Sequence, residues 1–210
     1  MNLAKNMSLD ALFDQLKHPN PNLRDRAALE IAEKRDETTI PRLMKILDAE
    51  DVMFRRAAVK VLGVIGPDAL PVLCEGLLQN PDPVVRASCA KAIAQCATNY
   101  DEGAISESAI ASLKSGTSDE NPVVHLASVM ALGQVGKPAF EVMRDILQNG
   151  DNVAVAVAIV NALGSSGDER AIPVLQALSK DETVDPYVSE MATSALPRLD
   201  QVINYKKSNG

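Results

Sequence analysis

The chain has 210 residues, with 21 Lys or Arg, 28 Asp or Glu and a formal net charge of −7. This balance argues against a general nucleic-acid or anionic-membrane binder, because both require clustered cations. We see no apolar run long enough to span a bilayer and no signal peptide in residues 1–5. We therefore expect a soluble, cytoplasmic protein.

An alanine-rich sequence motif that starts with a cationic residue recurs along the chain. The first copy starts at Arg24, the next three start at Arg55, Arg86 and His125, and two degenerate copies start at Ala156 and Ser189. Successive starts are 31, 31, 39, 31 and 33 residues apart. Periodic sequence of this size predicts a stack of supersecondary units.

A second apolar stretch precedes each copy of the motif, and its apolar residues are spaced three and four apart, as on one face of an α-helix. These stretches are 9–16, 40–47, 70–78, 105–113, 139–147 and 172–178. Turn residues rich in Pro, Asn and Asp separate the two members of each pair. The pattern predicts an all-α fold, an α-solenoid of about six helix-pair repeats, because a single pair cannot bury both of its faces.

The repeat array is predicted to cover residues 8–203, between an N-terminal tail of residues 1–7 and a polar C-terminal tail of residues 204–210. Glycines are expected to end the second helices as left-handed C-caps. The candidates are Gly63, Gly66, Gly133, Gly136, Gly164 and Gly167.

We call the first position of each copy of the motif the cation position. Arginine there is expected to bond an acid or a carbonyl of the preceding turn, with Asp51 before Arg55 and Asp82 before Arg86 as plausible partners. His125 holds this position in the fourth repeat, where a titratable ring replaces a permanent charge. It is therefore either a structural member of the series or a candidate catalytic residue.

The three cysteines, Cys74, Cys89 and Cys96, form no CxxC motif and have no neighbouring metal ligands. Cys89 and Cys96 align with Ala58 and Ile65 of the previous repeat, which indicates that they are buried small hydrophobes. A nucleophile or a transient covalent carrier is the alternative.

The second helices of such arrays line the concave face, so their positions outside the core are candidates for ligand contact. The candidate groove residues are Arg56, Lys60, Lys91, Gln95, Gln134 and Asn161. This polar, mildly cationic set could bind the propionates of a tetrapyrrole or the acidic side of a partner protein, or it could be an ordinary solvated surface. Residues 98–122 contain eight extra residues, which form either a partner contact or a passive spacer.

The repeated sequence pattern, an Arg followed by an Ala-rich stretch and Leu-Gly, resembles HEAT-type repeats over roughly residues 8–203. One enzyme of similar fold, deoxyhypusine hydroxylase, needs paired His-Glu iron ligands. This chain has only His18 and His125, neither followed by Glu, so no metal site is expected.

Four segments and the ending Asn204-Tyr205-Lys206-Lys207 resemble the E/F-type phycobilin lyases, and the small, F-like subunit in particular. The segments are 18–24, 51–66, 121–125 and 157–164. The resemblance implies a lyase subunit or chaperone that helps attach phycoerythrobilin to a phycoerythrin cysteine through a thioether. It also implies a larger E-like partner such as CpeY, phycoerythrobilin as a transient ligand, and no tightly bound cofactor.

If one group transfers a proton, His125 is the first candidate, followed by Tyr100 or Tyr187. Isomerising relatives carry a His-Cys pair, which is absent beside Cys89 and Cys96, so attachment without isomerisation is expected. The alternatives are a non-catalytic HEAT-repeat interaction protein and a phycobilisome degradation factor. The choice between enzyme and chaperone stays open.

Overall fold

The computed structural model describes residues 7–209, apart from the side chains of residues 102, 206 and 209. Its α-helices are α1 (Leu9–Gln15), α2 (Pro21–Lys34), α3 (Thr39–Ile46), α4 (Val52–Ile65), α5 (Leu70–Gln79), α6 (Pro83–Asn99), α7 (Glu107–Gly116), α8 (Pro122–Val135), α9 (Phe140–Asn149), α10 (Val153–Ser166), α11 (Ala171–Leu178) and α12 (Pro186–Asn209). Short 3-10 turns lie at Gly66–Ala69, Glu102–Ala104 and Lys137–Ala139. Successive pairs are numbered repeats 1 to 6, and the predicted all-α solenoid is confirmed.

Side-chain caps explain where the second helices begin. The carboxylate or amide oxygens of five turn residues accept hydrogen bonds from backbone N–H groups of the first helical turn. These residues are Asn20, Asp51, Asp82, Asn121 and Asn152. Each such cap stabilises its helix by about 1 kcal/mol. Proline at the start of α2, α6 and α8 fits there because its fixed φ suits the first helical position.

Glycine ends three of the second helices, at Gly66, Gly136 and Gly167. Only Gly167 is left-handed helical, with φ 67° and ψ 22°, so the predicted left-handed C-cap is right for repeat 5 alone. Gly66 and Gly136 combine positive φ with ψ of −133° and −129°, which turns the chain directly into a 3-10 turn.

The other three candidate glycines lie inside helices, where they let neighbouring second helices approach. A Cβ atom on Gly63 would lie 2.3 Å from Gln95 Cβ. One on Gly133 would lie 2.9 Å from Ala162 Cβ, and one on Gly164 would lie 2.8 Å from Ala195 Cβ. Glycine at these positions therefore serves packing rather than termination.

The second helices form the continuous inner layer of the array. Helices α2, α4, α6, α8, α10 and α12 pack in that order, whereas α5 and α7 are the first helices that pack extensively on each other. Leu62, Ile93, Leu132 and Leu163 occupy equivalent positions in this layer and are fully buried. Since the second helices are the closer set, the array curves with them on its inner, concave face.

The expectation that no apolar run is long enough to span a bilayer was wrong, because the stretch Val52–Gln79 has the length and composition of a membrane span, with mean hydropathy 1.6. It consists of α4, the Gly66–Ala69 turn and α5. Of its apolar window, 56% is buried inside the array. The apolar residues here therefore build the core between repeats 2 and 3.

The predicted terminal tails differ from the structure where it describes them. Residues 1–6 of the N-terminal tail lie outside the described residues. Residues 204–209 continue α12 as helix, so the C-terminal segment is polar but is not a separate tail. The reason is that α12 runs past Pro197 and keeps burying apolar residues, Leu199 and Ile203, against the array.

Candidate functional site

Arginines at the cation position fix the turn inside their own repeat. Arg24 Nη1 donates to the carbonyls of His18 and Pro19 at 2.6 and 2.9 Å, and Arg86 Nη1 donates to those of Asn80 and Pro81 at 2.9 and 3.1 Å. Arg55 donates to the equivalent carbonyl of Ala49. We call these three residues the arginine ladder. The predicted carbonyl contact is confirmed.

The predicted acidic partners of the ladder were wrong. Asp51 and Asp82 use their carboxylates to cap α4 and α6, so they accept from backbone N–H groups instead of arginine. The acid that Arg86 contacts is Asp119, which lies 33 residues ahead in the next repeat. This hydrogen-bonded cation holds the pKa of Asp119 below its usual range.

His125 lies at the end of this series rather than in the predicted groove. Its Nε2 atom is buried and has no hydrogen-bond partner within the described part of the chain. The ring lines a cavity of about 350 Å³ beside Lys114 and Asp145, which form an ion pair with each other. None of the candidate groove residues lines this cavity.

Four of the six candidate groove residues do come together. Arg56 and Lys60 on α4, with Lys91 and Gln95 on α6, line one depression of about 480 Å³ on the inner face. Lys60 is neutralised by Asp25, with 2.7 Å between Nζ and Oδ1. Arg56 and Lys91 are exposed and form no ion pair within residues 7–209. The depression therefore offers two cations for an anionic ligand.

The remaining two candidates lie elsewhere along the inner face. Gln134 lines a separate depression of about 290 Å³ with Asp101 and Lys137. Asn161 is occupied by Arg198, whose Nη2 donates to Asn161 Oδ1 at 3.1 Å. The structure thus concentrates the candidate site on α4 and α6.

Sequence reasoning missed an apolar surface on the next inner helix. Val123, Leu126 and Met130 of α8 are 56, 52 and 62% exposed, and we call them the α8 apolar patch. Leu126 and Met130 occupy the repeat positions that Arg56 and Lys60 hold in α4. The sequence therefore contained the information needed to predict this patch, because the repeat register places these apolar residues on the concave surface.

Tyr100, a fallback candidate for proton transfer, is engaged structurally. Its hydroxyl donates to the carbonyl of Val64 at 2.6 Å and lies 3.2 Å from that of Ile65. Its ring fills the space beside Gly66, where a Cβ atom would lie 2.2 Å from the ring. Tyr100 therefore anchors the extra residues of the third repeat to the end of α4. Tyr187, the other fallback, is 55% exposed at the start of α12.

All three thiols are buried, as the repeat register predicted for Cys89 and Cys96. Cys89 and Cys96 are fully buried and Cys74 is 9% exposed. Burial raises the pKa of Cys89 and Cys96 to about 12 and also raises that of Cys74. Thiolate, the nucleophilic form, is therefore scarce at neutral pH, which removes the support for a covalent carrier.

Taken together, the inner face carries two adjoining chemistries. Exposed cations lie on α4 and α6, and the α8 apolar patch lies on the next helix in the stack. Such a surface can bind a molecule that has carboxylates at one part and an apolar body at another. It can also orient that molecule for a reaction whose nucleophile comes from outside the chain.

Comparison with protein families shows that a model of HEAT repeats matches residues 9–94 and 104–197. The gap, residues 95–103, overlaps the segment with the extra residues and includes Tyr100. The chain is 46% identical to a protein of Pseudanabaena tenuis (strain PCC 7409) called uncharacterized phycocyanin operon protein Z. That match covers 96% of this chain and 100% of the relative.

A second relative is the bilin biosynthesis protein CpeZ of Synechococcus sp. (strain WH8020). It is 28% identical over 82% of this chain and 95% of its own length.

Solved structures share the fold. A HEAT-like repeat protein of the archaeon Thermococcus onnurineus NA1 matches with a TM-score of 0.52 and 16% identity, covering 92% of this chain and 81% of its own. The complex of CpcE and CpcF of phycocyanin lyase from Nostoc sp. PCC7120 contains a chain that matches with a TM-score of 0.49 and 20% identity. That match covers 73% of this chain and 96% of the other. At 16% identity the likeness to the archaeal protein concerns the fold alone.

Proposed function

Because this chain belongs to the HEAT-repeat family, within the E/F-type phycobilin lyase group, we propose that it helps to attach a bilin to a cysteine of a phycobiliprotein. Its role would be that of a lyase subunit or of a lyase-associated chaperone. The observation that carries the proposal is the pairing of Arg56 and Lys91 with the α8 apolar patch on one inner face. A linear tetrapyrrole has propionates that suit the cations and rings that suit the patch.

The proposed division of labour follows from these groups. Arg56 and Lys91 would hold the propionates through charge-assisted hydrogen bonds. Leu126 and Met130 would cover the apolar rings, which Met does well because its side chain adapts to irregular shapes. The bilin would then lie along the inner face with one end free. Its reactive end could project toward the acceptor protein.

Attachment itself is an addition of the acceptor's thiol across the ethylidene double bond of the bilin. The sulfur forms a bond to one carbon of that double bond, and the thiol proton is delivered to the conjugated system of the bilin, so no leaving group or oxidant is required. The chain would contribute orientation, which can lower barriers substantially without a nucleophile of its own. His125, the predicted catalytic residue, lines a separate cavity, so the proposed step assigns it no proton transfer.

For pigment and partner we propose phycoerythrobilin, a phycoerythrin subunit and a larger E-like subunit such as CpeY. The relation to CpeZ supports a role in bilin chemistry. The more similar Pseudanabaena protein is named for a phycocyanin operon, so a phycocyanin subunit with phycocyanobilin is the second acceptor to include in any test. The complex would form in the cytoplasm, where we expect phycobilisome assembly.

The direct test is co-expression of the full chain with a phycoerythrobilin source and a phycoerythrin subunit, with and without an E-like partner. Covalent pigment is scored by zinc fluorescence on a denaturing gel. We expect attachment to depend on the chain. The double variant R56Q/K91Q should reduce it roughly three- to tenfold, because two exposed charge contacts are lost.

The matched control is Lys45→Gln, which removes an exposed cation from the outer helix α3. It should leave attachment unchanged. Equal loss in the control and the double variant would show that overall charge matters and the groove does not. Unchanged attachment without the chain, for both pigment and acceptor pairs, would overturn the proposed function.

A purely non-catalytic interaction protein is the second candidate, and the α8 apolar patch favours it. Three exposed apolar side chains on one helix are also what a protein partner would bury. The discriminating observation is the absorption spectrum of free phycoerythrobilin mixed with the purified chain. A shifted, saturable spectrum supports pigment binding, whereas more soluble acceptor with no spectral change supports the interaction protein.

A further inference from the structure

The arginine ladder occupies repeats 1 to 3, and His125 holds the cation position in repeat 4. Ala156 holds the cation position in repeat 5, where Arg24, Arg55 and Arg86 place a guanidinium in the earlier repeats. By the same register, the carbonyls that such a guanidinium would contact belong to Gly150 and Asp151. Within residues 7–209, no hydrogen bond is made to either carbonyl.

A cavity of about 730 Å³ lies where the ladder arginine is missing. Gly150, Asp151 and Ala156 form its wall from repeat 5. Val174, Ala177 and Leu178 of α11 form apolar wall from repeat 6. The volume is in the range of about 300–1,000 Å³ that is typical of binding pockets, and it exceeds what one side chain fills.

The cavity is also acidic. Asp151, Asp181 and Asp185 line it, and within the described residues none of the three forms an ion pair. Hydrogen bonds from Thr183 hold Asp181 in place and lower its pKa, so its carboxylate is charged at neutral pH. Asp185 is fixed by the backbone N–H of Tyr187. The cavity is therefore lined by two turn residues whose carbonyls accept no hydrogen bond within residues 7–209, by three aspartates and by an apolar floor.

We propose that this cavity receives an arginine side chain of a protein partner, which takes the place of the missing ladder residue. The chain itself supplies the precedent, because Arg24 and Arg86 each donate to two successive turn carbonyls. A guanidinium suits this arrangement better than an ammonium, since its planar fork reaches several acceptors at once. The apolar floor on α11 takes the residues that flank the arginine. The proposal is independent of any pigment.

The test titrates the full chain with the blocked tripeptide Leu-Arg-Leu and follows backbone amide signals by NMR. We expect saturable shifts at Gly150, Asp151 and Ala156. Peptides with citrulline or lysine in place of arginine should bind at least about tenfold more weakly, because they lack the charge or the fork. Blocked arginine alone should also bind more weakly than the tripeptide. Absent shifts, or equal binding of the citrulline peptide, would overturn the proposal.

The sharpest variant is Ala156→Arg, which restores the ladder from within. It should abolish the peptide-induced shifts and raise Tm by about 2–4 °C, the change that about 1 kcal/mol produces in a protein of this size. The control is Ala154→Arg, two residues away on the exposed side of α10, which should change neither.

Should Ala156→Arg fail to fold, the double variant D151N/D181N provides the second arm. It removes two of the three carboxylates and should weaken the tripeptide about tenfold or more. Retained binding in either folded variant would count against an arginine site.

Discussion

Arg86 and Asp119 join the turn of repeat 3 to the turn of repeat 4 through two parallel hydrogen bonds. The Nε–Oδ2 distance is 2.7 Å and the Nη2–Oδ1 distance is 2.8 Å. The two side chains are only 17 and 12% exposed. Asp119 also accepts from the backbone N–H of Asn121, the residue that caps α8. One carboxylate therefore links two repeats and orders the start of an inner helix.

We expect Asp119→Asn to lower the free energy of unfolding by about 2 kcal/mol at pH 7, because it leaves Arg86 without its charged partner. The folded-state pKa of Asp119 lies below its unfolded value of about 3.9, since Arg86 donates to the ionised form. The stabilisation is therefore present above the unfolded pKa and is lost as pH falls through the folded pKa.

Urea denaturation of both proteins at pH 7 and near pH 3 measures this difference. The difference in free energy of unfolding between the parent and Asp119→Asn should be smaller at the lower pH. Glu75→Gln, at an exposed position of α5, is the control that removes a carboxylate without a buried cation beside it. A difference that does not depend on pH would show that the Arg86 ion pair contributes nothing.

Gly66→Ala should destabilise the chain by about 2–4 kcal/mol. Gly66 has φ 75°, which an L residue rarely adopts, and the new Cβ atom would meet the Tyr100 ring. Gly103 offers the matched control, since nothing lies within 4 Å of a Cβ atom there. Thermal unfolding of the two alanine variants compares them directly. Similar losses in both would contradict the role given to the Gly66 conformation and to Tyr100.

The double variant L126Q/M130Q should leave Tm within about 2 °C of the parent, because both side chains are mostly exposed. It should nevertheless weaken binding of phycoerythrobilin about tenfold or more, since apolar contact area on the rings is lost. Leu29→Gln is the control, because Leu29 is 55% exposed at the position in repeat 1 that Met130 holds in repeat 4. Bilin absorption titrations provide the readout, and equal loss in L29Q would exclude a special role for α8.

Cys89 and Cys96 should resist alkylation in the folded chain. With a pKa of about 12, only about one thiol in ten thousand is ionised at pH 8. Iodoacetamide labelling followed by mass spectrometry, with and without guanidinium chloride, should show modification of these residues only after unfolding. A bilin found covalently on either cysteine of the folded chain would reverse this expectation and revive the carrier hypothesis.

The repeat pattern predicted most of the fold because each element recurs with the same caps and core positions. Asn20, Asp51 and Asp82 stand directly before the second helices and cap them, a local contact that the sequence contains, although Asp51 and Asp82 were predicted to bind arginine. Asp119 could not be identified as the partner of Arg86, because the stacking of adjacent repeats brings it there from 33 residues away. Local sequence explains the turns, whereas contacts between repeats need the structure.

The candidate site followed the same division. Arg56, Lys60, Lys91 and Gln95 were predicted from register and lie together. Tyr100 was misjudged because its bonds to Val64 and Ile65 depend on how the extra residues fold back onto α4. The α8 apolar patch was overlooked although Leu126 and Met130 occupy the same register positions as the cations. The patch was overlooked because the concave face was expected to be polar, although the repeat register alone was enough to locate it.

The interior glycines of the second helices have an effect beyond tight packing. Gly63, Gly133 and Gly164 each set how near one inner helix comes to the next, as the Cβ distances at these positions show. An inner layer that is shorter than the outer one bends the array, so these three residues contribute to its curvature. We therefore expect the absence of side chains at these three glycines, which no ligand touches, to set the width of the inner face. That width in turn sets the length of molecule that the face can span.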